Sequence, residues 1–231
     1  RERRGPDRGP RSGGVMKGGL RRFVASAAAP PPPPAEKVER CEMCAEPIAE
    51  WHGHVVDIEG RGLMCTCRPC ALLFTQEGAG GGRYRAVPER YRYAADVPLA
   101  AATWDSIGIP VAMAFFFTNS ALEQTVAFYP SPAGATESLL SLGAWTDLLA
   151  ATPTLADLKP DVEALLVHKS DSGFEFFAVP IDACYQLVGL VRMHWKGFDG
   201  GEEAWKAIHE FFDGLRERSE VVAPEMDPAN D

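Results

Sequence analysis

Apolar and polar positions along the chain follow two different periods. Residues 109–118 (IPVAMAFFFT) and 124–130 (QTVAFYP) are rich in apolar and aromatic side chains, and Asn119-Ser120 opens a turn between them, so the pair reads as a β-hairpin. The unbroken run Phe115-Phe116-Phe117 implies a strand buried on both faces. Further strands fit residues 164–168, 175–179 and 185–195, the first two joined by Lys169-Ser170-Asp171-Ser172-Gly173. A helix fits residues 137–150, with Leu139, Leu142 and Trp145 or Leu149 on one side. The last helix is the clearest. Glu202-Glu203 place acid in its first turn, Arg216 and Arg218 place base in its last, and Trp205, Ile208, Phe211, Phe212 and Leu215 form one stripe. Strands with segregated helices predict an α+β domain with a mainly antiparallel sheet over residues 86–218.

Nearer the N-terminus the apolar runs shorten. Residues 54–58 (HVVDI) and 63–67 (LMCTC) flank Glu59-Gly60-Arg61-Gly62, and Gly60 at the first central position suits a type II′ turn. If Glu59 pairs with Gly62, Val56 lies opposite Cys65 and His54 opposite Cys67. His54, Val56, Cys65 and Cys67 then share one face, with His52 read as lying on the other.

This hairpin sits inside a cysteine cluster. Five of the six cysteines fall within thirty residues, as Cys41-Glu-Met-Cys44 and Cys65-Thr-Cys67-Arg-Pro-Cys70; the sixth, Cys184, reads as a core thiol. Two C-x-x-C turns facing each other across a hairpin are the pattern of a zinc ribbon, and the spacing here is slightly longer than usual. Residues 38–77 therefore read as a zinc-ribbon-like module with Cys41, Cys44, Cys67 and Cys70 as metal ligands. Zinc is the expected ion, and iron in the same four thiolates is the alternative. Cys65 and His54 are extra donors: additional ligands, groups supporting the ligands, a redox partner for Cys67, or simply a small buried thiol and an exposed imidazole.

Charge changes the picture of partners. Residues 1–37 carry nine Lys/Arg against three Asp/Glu, a formal +6, while the rest carries 14 against 29, or −15. An acidic body counts against nucleic acid, which needs a cationic face. The first 37 residues, with Pro30 to Pro34, read as a disordered basic tail, and residues 219–231 as a disordered acidic one. Met16 is a reasonable start position, and the stretch after Arg21-Arg22 is too short and weakly apolar for an export signal. No apolar run reaches the roughly 20 residues of a membrane span, so a cytoplasmic protein is expected, where metal explains clustered cysteines better than disulfides do. The glycine-rich stretch at 78–85 reads as a hinge. Asp105, His168, His194 and His209 are scattered singly, and no catalytic constellation emerges.

Several stretches together carry a resemblance: Gly18-Gly19-Leu20-Arg21-Arg22-Phe23, CEMCAEPI at 41–48, the H-x-H of His52 and His54, LMCTCRPCALLF at 63–74, GRYRAVP at 82–88 and CYQLVGLVRMHWKGFDGG at 184–201. They resemble an uncharacterised protein family encoded beside uptake NiFe-hydrogenase genes in actinobacteria. The resemblance runs over most of residues 18–218. It implies a hydrogenase-associated context without an assigned activity, and carries over only the cysteines and the His52/His54 pair. The resulting expectation is a non-enzymatic, metal-binding accessory protein in assembly, maturation or scaffolding of a hydrogenase. Its partners would be hydrogenase subunits or maturation factors. The alternatives are a rubredoxin-like iron electron carrier and a nucleic-acid-binding ribbon.

Overall fold

The computed structural model describes residues 38–95, 99, 101–138, 155–170 and 173–222. Two sheets carry the architecture. The small one is built from β1 (Gly53–Asp57), β2 (Gly62–Thr66) and β3 (Tyr84–Ala86) in the order β2-β1-β3, all antiparallel. A short helix α1 (Arg68–Leu72) follows β2. The large sheet uses β4 (Arg92–Ala94), β5 (Met113–Asn119), β6 (Gln124–Ser131), β7 (Gly134–Ser138), β8 (Glu163–Ser170), β9 (Gly173–Pro180) and β10 (Glu220–Val221). Its order is β10-β4-β9-β8-β5-β6-β7, and only the β10–β4 pair is parallel. Helices α2 (Ala101–Ser106), α3 (Ile181–His194) and α4 (Gly201–Arg218) complete an α+β fold. The described part of the chain lies within one compact unit beginning at Val38.

The large sheet is buried on both sides, as its phenylalanine run predicts. Successive strand residues face opposite ways. Phe116, Leu165, Val167 and Phe176 therefore enter one core with Trp104, while Phe115, Leu166, Phe177 and Val179 enter the other beneath α3 and α4. The hairpin between β5 and β6 has the expected partners, Phe115 opposite Phe128 and Asn119 opposite Gln124. In α4 the predicted stripe is in place: Ile208, Phe211, Phe212 and Leu215 are buried, and Trp205 is half-buried. Shortening Ile208 to valine removes one buried methylene and is expected to cost about 1 kcal/mol, read as a shifted urea midpoint with an unchanged slope.

Two expectations change. The segment at 185–195 is not a strand but most of α3, and Cys184 sits inside that helix, fully buried. The helix begins at Ile181, directly after Pro180, and buries Ile181, Cys184, Leu187, Val188 and Val191, a spacing of three and four. Asp182 in its first turn and Arg192 and His194 in its last complement the helix dipole. Of the helix expected at 137–150, residues 137 and 138 close β7, paired with β6, and the rest lies outside the described residues.

One buried polar cluster ties α4 to the sheet. Arg216 donates Nε to Glu175 Oε1 at 2.8 Å and Nη2 to Oε2 at 2.7 Å. Tyr93 donates its hydroxyl to the same carboxylate at 2.8 Å, and His168 Nδ1 lies 3.0 Å from it while its ring stacks on Phe212. Burial alone disfavours the charged carboxylate, but these donors outweigh it and hold Glu175 down to about 2; burial also holds the His168 imidazole below its usual range. The Glu175 carboxylate thus gathers Arg216, Tyr93 and His168 Nδ1 from three elements, which gives His168 a structural role in the fold.

Candidate metal centre

The hairpin that builds the site is closed by a four-residue loop, Ile58 to Arg61, not a two-residue turn. Asp57 pairs with Gly62, Val56 with Leu63 and His54 with Cys65, two residues displaced from the expected register. Side-chain capping sets that length. Asp57 accepts the Gly60 amide at 3.0 Å and two bonds from Arg83, at 3.0 Å from Nε and 2.7 Å from Nη2, while the left-handed residue is Arg61 (φ 51°). The Arg83 bonds hold the Asp57 carboxyl down to about 2. A displacement of two preserves face, so His54 and Val56 still share a side with Cys65.

Cys41 and Cys44 lie on a tight turn in which Ala45 donates its amide to Cys41 O at 2.8 Å and takes a left-handed conformation (φ 62°). Cys67 caps α1, whose second residue is Pro69 and third is Cys70. A backbone bond from Glu42 to Cys65 O at 2.9 Å and a Cys65 amide donated to Glu42 Oε2 at 2.5 Å lock the two turns together. The four sulfurs of Cys41, Cys44, Cys67 and Cys70 consequently lie within 4.8 Å of one another, with Cys44 and Cys67 at 3.6 Å. A tetrahedral ion bound at about 2.3 Å to each sulfur needs edges of about 3.8 Å, so the group fits one ion.

The electrostatics point the same way. Burial opposes a Cys41 thiolate, yet backbone N–H groups of Cys67, Cys44 and Met43 outweigh it and bring the thiol down to about 6. Cys70 is pushed the other way, up to about 12, by the neighbouring sulfurs of Cys67 and Cys44. A cluster that stabilises one negative sulfur and resists the next is one whose repulsion a bound cation removes.

Cys65 and His54 do not join this group. They form a second one with His52, in which one donor atom from each lies within 4.8 Å of the others. His52, expected on the opposite face, is beside His54 with ring centroids 4.8 Å apart. Residues two apart share a face, and His52 Nδ1, 2.8 Å from Ala49 O, fixes the ring there. The thiol of Cys65 is pushed up to about 11, by burial first and then by Glu39 and Glu42.

The same face joins the ribbon to the body. Val56 and Leu63 pack against the core beneath α3 and α4, and His54 Nδ1 meets Asp182 Oδ2 of α3 at 2.8 Å. Arg85 of β3 donates to Pro160 O at 2.8 Å and to Asp161 at 3.3 Å. The cavity left along this seam, lined among others by Val56, Leu63, Phe117 and Tyr185, measures about 70 Å³. Pockets for drug-sized organic ligands measure about 300–1,000 Å³, so this cavity is well below that class.

None of the described helices is long and apolar enough to cross a membrane. No curated protein and no solved structure matches the chain. A family of unknown function does, over residues 40–219, a span that takes in both cysteine turns, the histidine pair, strands β4 to β9 of the large sheet and α4. With most of its length matched, the chain belongs to that family, DUF5947.

Proposed function

We propose that this protein is a zinc-binding accessory factor in the assembly, maturation or scaffolding of a metalloenzyme, with Cys41, Cys44, Cys67 and Cys70 holding one structural zinc. The observation that carries the reading is the convergence of four sulfurs, from two separate turns, within 4.8 Å. Zinc would supply folding energy to a module whose own core is little more than Val55 and Thr66. The resemblance to proteins encoded beside NiFe-hydrogenase genes supports hydrogenase as the enzyme served, with its subunits or maturation factors as partners. A protein contact is also consistent with the ribbon's exposed Trp51, Leu72 and Leu73, which are 81, 58 and 67% accessible.

Iron in the same four thiolates would instead make the ribbon an electron carrier, and the amide-to-sulfur bonds at Cys41 suit either ion. Metal analysis with an absorption spectrum separates them. The expected result is a colourless protein with zinc in the four-cysteine centre; thiolate-to-iron charge-transfer bands would transfer the reading to electron transfer. Deleting the gene is expected to lower hydrogenase assembly, and unchanged hydrogenase activity would sink the accessory role.

A further inference from the structure

We propose that His52, His54 and Cys65 form a second metal site, separate from the four-cysteine centre, which takes one divalent late transition ion of the zinc class and leaves a fourth coordination position open. Three observations converge. Register sets His54 directly across from Cys65, and the two-residue repeat sets His52 beside His54, so two imidazoles and a thiol present donors within 4.8 Å. Both rings have their Nδ1 engaged on protein acceptors, His52 on Ala49 O and His54 on Asp182 Oδ2, each at 2.8 Å. That places the proton on Nδ1 and leaves each Nε2 with a lone pair for a metal. The third observation is the state of one of those atoms: His52 Nε2 is buried and has no hydrogen-bond partner among the described residues. Leaving such an atom unpaired costs about 1–3 kcal/mol, a penalty that coordination would remove.

Asp182 gives the site a device that a chance cluster lacks. A carboxylate accepting the far N–H of a ligating histidine fixes its tautomer and raises its basicity. Here the carboxylate comes from the first turn of α3, in the body of the protein, and is itself held by the Ala183 amide at 2.8 Å from Oδ1. Two imidazoles and a thiolate suit zinc, cobalt or copper; among the described residues no fourth Cys, His, Asp or Glu donor lies within 4.8 Å of all three, with the Glu39 carboxylate bonded to the Cys65 thiol alongside. Three protein ligands with an open position are the arrangement of reactive metal centres, whereas structural ones close all four. On binding, the Cys65 thiol gives its proton to solvent and its sulfur lone pair to the metal, with no change of oxidation state.

The test is zinc stoichiometry of the full-length chain by native mass spectrometry, with affinities from a competing chelator. Wild type is expected to bind two zinc ions, and H52A/H54A and C65S one each. D182N is expected to bind two, the second about 10- to 100-fold more weakly. A wild-type chain that saturates at one zinc overturns the proposal, as does a H52A/H54A chain that still takes two. Unchanged second-site affinity in D182N would remove Asp182 from it. Should the histidine variant lose both ions, cobalt-substituted wild type decides: a four-thiolate spectrum together with a distinct weaker-field set supports two sites, and a four-thiolate spectrum alone overturns them. One remaining zinc in H52A/H54A would also leave the four-cysteine reading intact, so the two centres fail separately.

Discussion

Replacing Cys41 with alanine is expected to unfold the small sheet while the large one stays folded. Cys41 is 2% exposed, and its sulfur collects the amides of Cys67, Cys44 and Met43, one of which belongs to the second turn. Its loss removes one of the four proposed zinc ligands and at the same time leaves these donors without their acceptor. Structural zinc contributes on the order of 10 kcal/mol to modules of this kind, more than a sheet of three short strands can replace. The result should be local melting and not a modest shift in midpoint. Hydrogen exchange read by mass spectrometry is expected to show lost protection across residues 41–66 and 84–86, with β8 and β9 still protected. A strong chelator should reproduce the pattern in wild type. Retained protection at β1 and β2 in the variant would mean that the sheet stands without metal.

The second large effect is expected at Arg216. Changing it to methionine leaves Glu175, 7% exposed, with Tyr93 and His168 but without its cation. Breaking a fully buried pair from one side costs about 3–5 kcal/mol; with the Arg216 side chain 34% accessible, roughly 2–3 kcal/mol is expected here at neutral pH. The direction of the shift sets the pH dependence. Glu175 has a lower pKa folded (about 2) than its ordinary 4.5, so its contribution is fully present above about 4.5 and is lost as pH falls towards 2. His168, also depressed in the fold, chiefly by burial, lets the unfolded chain take up a proton first as pH falls through 6.5, which adds acid sensitivity to the wild type. The gap between wild type and variant in urea denaturation should therefore be widest near pH 7 and narrow below pH 4. Adding Glu175→Gln to the variant should recover part of the loss, because a neutral amide costs less to bury than an unpaired carboxylate. A gap independent of pH would mean that Arg216 acts through packing alone.

How much of the fold and the site is legible in the sequence depends on how local each signal is. The hairpin of β5 and β6 and the stripe of α4 repeat within a few residues, and periodicity finds them. The four-cysteine group is nearly as local, since two C-x-x-C turns and a hairpin bring it together. The register of β1 and β2 is displaced because loop length is set by Asp57 with Arg83, a partner 26 residues away. Helix α3 reads as a strand because its β-branched and aromatic stretch hides a helical spacing that is clear only when counted from Ile181, past the proline. The pairing of His52 with His54 needs only parity. What orients it, Asp182, is a tertiary contact that no window along the chain contains.

That contact also sets an order in time. All seven cysteine and histidine donors lie within residues 41–70, so both donor sets leave the ribosome before any strand of the large sheet. Asp182 emerges 128 residues after His54, at about 5–20 residues per second a lag of roughly 6–26 seconds. If both proposed centres hold, a nascent chain can load the four-cysteine centre first, while the histidine centre reaches its full affinity only once α3 brings Asp182 to His54.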